Sequence, residues 1–306
     1  MELRQLQYFV KAAEMLHFTE AANELYVTQS TLSQQIKQLE QELGVLLFDR
    51  IGKQVQLTEA GHVFLIHARR ILSEVNKGKQ ALADMSNVIG GELHIGVTYA
   101  FTPLLLPVLA PFSTKYPNVK LFIEYGTTEE LQKKLHASEL DFILVFQKES
   151  EEEDFDTQTL YTSRIVAVVS KKHALSHQPK VSIEEIATLP MVLPGKGFSS
   201  RLFLDDILRK KEIHLNAQIE MNDVHSLLTM VEMGNWVTIL NEKALWGWKN
   251  LVAIPIIGKE LAMPSFILWP RGAYRKKAAN LFVKELKERM SNQSYQKFRQ
   301  GNNHDQ

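Results

Sequence analysis

Residues 27–44 read VTQSTLSQQIKQLEQELG, and no other stretch limits the fold of this chain as tightly. Leu32, Ile36, Leu39 and Leu43 step by four, three and four residues, which lays one apolar stripe along an α-helix. Thr28 stands where an N-cap is needed, and Gly44 where a left-handed residue ends a helix. The opposite flank carries Gln29, Ser30, Ser33, Gln34 and Lys37, with Thr31 beside them. An ordinary solvated face would mix Glu and Lys. This flank is mostly amide and hydroxyl, so the helix has one side for a core and one for a hydrogen-bonding partner.

Its neighbours show how it is held. Leu3, Leu6, Phe9, Val10 and Ala13 recur at helical spacing and predict a first helix of about thirteen residues. A short second helix follows, with Thr19 as its expected cap and Ala21, Ala22 and Leu25 facing inward, before a break at Tyr26-Val27. Three short helices, small residues in the second and a tight turn before the third make a helix-turn-helix pattern. The run VLLFDRIGKQVQLTEAG (45–61) then predicts a small hairpin around Gly52-Lys53, a wing, and a further helix capped by Thr58.

From Phe64 onward the apolar spacing alternates between four and three. Phe64, Ala68, Ile71, Val75, Gly78, Leu82, Met85 and Ile89 form a heptad seam of roughly three and a half repeats. Such a seam pairs a long helix with a copy of itself, or packs it against its own chain. Gly90-Gly91 is the expected end of this helix and a domain boundary.

The remainder changes texture. Strands are expected at 92–98, 119–125, 141–146, 164–170, 191–194, 236–240 and 265–270, with helical patterns at 127–139 and 199–211 between them. This alternation predicts α/β architecture with a large parallel component. The proline-broken run FTPLLLPVLAPF (101–112) is far too short for the ~20 residues of a membrane helix, and no signal peptide is visible, so a cytoplasmic protein is expected. The acidic run 148–156 reads as a solvated loop and the polar end 291–306 as frayed.

Sequence-specific reading of DNA needs side chains that donate and accept toward base edges, on a helix anchored by its other face. Thr28, Gln29, Ser30, Thr31, Ser33, Gln34 and Lys37 meet that description, and Lys37 with Arg50 and Lys53 of the wing could contact phosphates. Charge gives little help, because the 306 residues have a formal net charge of zero and residues 1–90 hold nine Lys/Arg against ten Asp/Glu. Affinity must then rest on two copies acting together. No cysteine is present, which excludes disulfides, thiolate metal sites and thiol redox sensing. Pro194-Gly195-Lys196-Gly197 lacks the frame of a phosphate loop, and no catalytic constellation or cofactor motif is found. His62 and His67 have no carboxylate partner at a metal-site spacing and read as surface or packing residues, while Met221, Met230 and Met233 read as packing residues.

The run AANELYVTQSTLSQQIKQLEQELGVLLFDR with VQLTEAG (21–61) resembles the N-terminal signature of the LysR-type transcriptional regulators. The elements SxLSxQIxxLExxLGxxLFxR and LTxAG stand at that family's spacings, although Gln34 replaces a common arginine. The resemblance covers the whole chain. It implies a winged helix-turn-helix at 1–60, a linker and dimerisation helix at 61–90, and at 91–306 a two-lobed α/β effector domain similar to periplasmic binding proteins. Lobe I would comprise 91–161 and 268–290, and lobe II 162–267. An inducer cleft between the lobes is implied at Thr98, Tyr99, Ala100, Thr127 and Thr128, and at Gly197, Phe198, Ser199, Arg201 and Asn222. Arg201, Lys196 and free helix N-termini would suit a small anionic effector. Pairing through Phe64, Ala68, Ile71, Val75, Leu82 and Met85 would give a homodimer on paired DNA half-sites, and tetramers are usual in the family. The rival reading is an enzyme or solute-binding protein whose N-terminal helices only dimerise it.

Overall fold

In the computed structural model the described residues are 1–51, 54–85, 89–147, 154–258 and 261–291. They form two compact units, Met1–Val88 with His136–Glu139, and Ile89–Leu135 with Leu140–Gln306.

The first unit contains α1 (Leu3–Met15), α2 (Phe18–Glu24), α3 (Gln29–Leu43), β1 (Phe48–Ile51), β2 (Gln54–Leu57) and α4 (Glu59–Asp84). Leu6, Phe9, Ala12, Ala21, Leu32, Ile36 and Leu39 meet in one buried cluster. Ala21 and Ala22 have almost no side chain to hold the helices apart, so α2 packs close. The α3 ends are built as the sequence predicts, with Thr28 accepting from the Thr31 N–H at 3.2 Å and Gly44 at φ +72°. The segment after α3 is tied back to it, because the Glu40 carboxylate accepts from the Leu47 N–H at 2.8 Å and the Phe48 N–H at 3.2 Å. β1 and β2 pair antiparallel from Phe48↔Leu57 to Ile51↔Gln54, and Thr58 caps α4 by accepting from Gly61 N–H at 2.9 Å. The Arg50 side chain and the whole of Lys53 lie outside the described residues.

Two expectations are corrected here. Thr19 does not cap α2: the cap lies two residues earlier, at His17, whose Nδ1 accepts from the Glu20 N–H at 3.2 Å, and the helix starts at Phe18. Phe18 is drawn in because its ring completes the core edge-on to Phe48, at 5.2 Å between centroids. The heptad helix is also shorter than its pattern. It ends at Asp84 with Met85 as its cap, and Ile89 packs instead against the core of the second unit. The first seam positions are used within the chain, since Phe64 lies 5.2 Å from Phe9 and Ala68 is fully buried. Ile71, Leu82 and Met85 remain exposed, Leu82 and Met85 at 72% and 82%, and Val75 is half-buried. His62 and His67 are exposed.

The second unit runs β3 (Gly91–Val97), α5 (Thr102–Lys115), β4 (Val119–Tyr125), α6 (Thr128–His136), β5 (Phe142–Phe146), β6 (Phe155–Ser170), α7 (Ile183–Ala187), β7 (Met191–Pro194), α8 (Ser199–Lys211), β8 (Ala217–Met221), α9 (Val224–Met233), β9 (Thr238–Asn241), β10 (Leu251–Pro255), β11 (Ala262–Pro270) and α10 (Lys277–Ser291). The main sheet has the order β10-β6-β11-β5-β3-β4, with β9 also on β6, and β7 and β8 form a separate parallel pair. β3 is parallel to β4 and β5, while β6 and β11 make antiparallel pairs, so the parallel component is smaller than expected. β6 is sixteen residues long: its first half pairs with β11 and its second half lies between β9 and β10. β6 is thus the strand that joins the β11-β5-β3-β4 part of the sheet to β9 and β10.

The apolar run 101–112 becomes most of helix α5 despite Pro107 and Pro111 within it. Each proline lacks an N–H and leaves a carbonyl one turn earlier without its helical bond. Burial of Leu104, Leu105, Val108 and Phe112, with Phe112 edge-on to Phe282 at 5.0 Å, outweighs that loss. β8 and β10 were not among the expected strands; each is five residues long, β8 mostly exposed and β10 mixed in burial. The acidic run is only partly described, and its last two residues, Phe155 and Asp156, open β6 rather than a loop. Met233 is 81% exposed, so it does not pack as expected, whereas Met221 and Met230 are half-buried.

Candidate functional sites

On α3 the buried stripe fixes what the other side presents. Leu32, Ile36 and Leu39 have no exposed surface, and Gln29, Ser30, Thr31, Gln34 and Lys37 are exposed, with Ser33 half-buried. The first turn is cross-linked: Thr28 Oγ1 lies 2.9 Å from Ser30 Oγ and 2.8 Å from Thr31 Oγ1, and Gln29 Nε2 donates to Ser33 Oγ at 2.9 Å. These bonds hold a row of hydroxyl and amide groups in set directions at the helix N-terminus, where further donors and acceptors can be met from outside.

The second unit contains a cleft whose empty space, counted together with the open solvent at its mouth, is about 410 Å³. One wall comes from the chain that leaves β3 and β4, at Thr98, Tyr99, Ala100, Gly126 and Thr127. The facing wall is Phe198, Ser199 and Ser200 at the start of α8, with Val224 of α9. Leu240, Asn241, Ala244 and Met263 close the floor. Strand ends and helix starts gather here because backbone N–H groups are free only at such places. Tyr99 is stacked between Tyr125, at 5.3 Å and 18°, and Phe198, at 5.4 Å and 17°, so an aromatic column joins the two walls.

Six of the ten predicted effector residues line this cavity: Thr98, Tyr99, Ala100, Thr127, Phe198 and Ser199. Thr128, Gly197, Arg201 and Asn222 do not. Thr128 is buried behind the wall, with its hydroxyl 3.2 Å from Ser199 Oγ, while Gly197 serves the turn with φ +96° and Asn222 is exposed. Arg201 is the main correction. Its guanidinium donates to Asp205 at 2.7 Å, Glu220 at 3.0 Å and the Pro194 carbonyl at 3.1 Å, so it is occupied within the fold.

Two helix N-termini expected to attract an anion are already served by carboxylates. Glu130 accepts from the Thr127 N–H and hydroxyl, both at 2.8 Å, and these bonds hold its pKa below the usual carboxylate value. Asp223 accepts from Ser226 N–H at 2.7 Å and is lowered likewise. Burial raises the Tyr99 pKa, and the charges of Asp223 and Glu130 raise it further. The first turn of α8 differs: Phe198 supplies no side-chain cap and no acid stands in that turn.

Seven lining residues were not expected from the sequence, Gly126, Ser200, Val224, Leu240, Asn241, Ala244 and Met263, and among them Asn241 carries a buried amide. It is 2% exposed, its Oδ1 accepts from Ser163 Oγ and Lys243 N–H at 2.9 Å each, and its Nδ2 meets only the weak acceptor Met263 Sδ at 3.7 Å. Its signal was its place at the C-terminal end of a strand, beside the expected strand 236–240.

Among the described residues no helix is long and apolar enough to cross a membrane, and no cluster of three or more His, Asp or Glu is placed to hold a metal.

Residues 3–62 match the family profile described as bacterial regulatory helix-turn-helix protein, lysR family, and residues 86–291 match the LysR substrate binding domain. A probable RuBisCO transcriptional regulator from Thalassiosira pseudonana is 31% identical over 300 residues, covering 93% of this chain and 96% of that one. A full-length OxyR variant from Pseudomonas aeruginosa superposes with a TM-score of 0.74 at 26% identity, covering 94% of both chains. The full-length CbnR structure complexed with its target DNA superposes with a TM-score of 0.68 at 22% identity, covering 94% of this chain and 99% of that one, a likeness of fold.

Proposed function

The chain belongs to the LysR family of DNA-binding transcriptional regulators, and on that premise we propose that a small molecule in the cavity of the second unit changes the arrangement of two paired DNA-binding heads. The DNA-binding head is assigned to residues 1–60, the linker to 61–90 and the effector unit to 91–306, in a cytoplasmic protein without enzymatic activity of its own. α3 enters the major groove, with Thr28, Gln29, Ser30, Thr31, Ser33 and Gln34 toward base edges and Lys37 toward phosphate. Pairing runs through the later seam positions of α4 and its cap, exposed Ile71, Leu82 and Met85 with half-buried Val75, so that two copies read paired half-sites. Dimers of dimers follow the family's usual assembly.

The observation that carries the effector assignment is the cavity itself, walled from both sides and joined by the Tyr125–Tyr99–Phe198 column. No lining residue is cationic, Arg201 is occupied, and Asp223 and Glu130 stand near Tyr99. This favours an uncharged effector with hydrogen-bond acceptors over the anion first expected. Asn241 Nδ2 and the uncapped N–H groups of α8 are the donors it would meet.

A metabolite screen by thermal shift tests the cavity, since a ligand of the folded state raises the melting temperature. Hits should lose their shift in Asn241→Ala and should change the DNA footprint of the wild type; an identical footprint with every hit would sink the coupling. For the head, Gln29→Ala, Ser33→Ala and Gln34→Ala combined should abolish specific binding while the protein stays folded. Unchanged specific binding would refute the assigned face.

A further inference from the structure

One side chain of the DNA-binding unit has no role in its fold. Tyr26 lies in the turn between α2 and α3 and is 96% exposed, more than any other large apolar or aromatic residue described. Its side chain makes no hydrogen bond and no ring contact within the described residues. Its backbone is at φ +55°. That geometry has a structural reason: Val27 N–H reaches the Ala22 carbonyl at 3.0 Å and Tyr26 N–H the Asn23 carbonyl at 3.1 Å, the left-handed turn that ends α2. Gly or Asn takes such a conformation readily, whereas a bulky aromatic takes it under strain. The turn therefore explains the φ angle but not the tyrosine, and no packing offsets the strain.

Its position supplies a reason. Tyr26 stands two residues before the Thr28 cap, at the end of α3 that a helix-turn-helix protein puts into the major groove. Chain just ahead of that end passes the groove's edge, where phosphates lie, and tyrosine hydroxyls are among the groups that bind them. Resting on the DNA-binding reading, we propose that the Tyr26 hydroxyl donates a hydrogen bond to a phosphate oxygen when α3 is seated, fixing the register of the head. A neutral donor suits a head in which nine Lys/Arg face ten Asp/Glu over residues 1–90.

The test uses the full chain and a random-sequence duplex, followed by gel retardation over a series of salt concentrations. Tyr26→Phe keeps the ring and removes only the donor, and should weaken binding about tenfold or more for one charge-assisted hydrogen bond per head. The loss should be the same at every salt concentration, because a neutral group displaces no counterion and leaves the salt slope unchanged. Tyr26→Gly should bind at least as weakly as Tyr26→Phe while melting no lower than wild type, which separates lost contact from lost fold. Wild-type affinity in Tyr26→Phe would overturn the proposal and leave the DNA-binding reading standing. Wild-type protein that retards no duplex would overturn that reading and the proposal with it.

Discussion

Gly61 gives the sharpest prediction for the DNA-binding unit. It sits in the first turn of α4, and a Cβ there would lie 2.1 Å from the Leu47 carbonyl oxygen and 2.9 Å from Leu57 Cδ2. The leucine tip can rotate away. The carbonyl cannot, because it accepts from the Thr58 N–H at 3.0 Å while the Leu47 N–H is held by Glu40 at 2.8 Å. Ordinary contact begins near 3.4 Å, so Gly61→Ala must push α4 and the 46–48 segment apart by about 1.3 Å. The displacement strains the Thr58 bonds to Leu46 and Leu47 that seat the wing. Overpacking costs about 1–3 kcal/mol and the two weakened bonds about 1 kcal/mol each, against about 1 kcal/mol gained in helix propensity. The net loss should be about 2–4 kcal/mol, a fall of about 10 °C or more in the melting of this unit. Gly78→Ala in the same helix meets nothing within 4 Å and should gain about 0.5–1 kcal/mol. Scanning calorimetry of both variants decides the matter. A Gly61→Ala protein as stable as Gly78→Ala would refute the reasoning.

Other consequences can be measured the same way. Glu40→Ala leaves the Leu47 and Phe48 N–H groups without their acceptor and should lower the urea midpoint, a loss of about 2 kcal/mol. Phe142→Ala removes a fully buried ring lying 4.8 Å from Trp269 and should destabilise the second unit by about 3–5 kcal/mol, with the melting of the first unit unchanged. His173 is buried, which lowers its pKa below 6.5, and its Nδ1 accepts from Leu175 N–H at 3.1 Å. The unfolded chain therefore binds this proton at higher pH than the fold does, so the contribution is complete above pH 6.5 and declines as pH falls below it. His173→Asn keeps a cap without a titrating ring, and its urea midpoint should fall less on acidification than that of wild type.

Local patterns carried the DNA-binding unit because its determinants are local. The four-three-four stripe of α3, its Thr28 cap and Gly44 stop are interactions between residues a few positions apart, so they are visible before any folding is known. The same holds for the strand pieces 119–125 and 191–194 and for the helix at 199–211, all found where the pattern placed them. Local reasoning went wrong where a distant group decided the outcome. His17 replaced Thr19 as a cap because Phe18 was drawn into the core against Phe48, and the heptad seam lost Phe64 and Ala68 to Phe9 and its neighbours.

The cavity divides along the same line. That Thr98, Tyr99, Thr127 and Ser199 would line it is what the family resemblance implied, carried onto strand ends and helix starts that the sequence marks. Which charges survive there is a matter of tertiary structure: Arg201 finds Asp205, Glu220 and a carbonyl, and Glu130 and Asp223 fold back onto their own helices. Charged groups act through space on whatever the fold brings near, and Asn241 reaches the floor only because β9 pairs with the second half of β6. Sequence alone thus determined the kind of protein and the face of α3, and the fold decided what the cavity can hold.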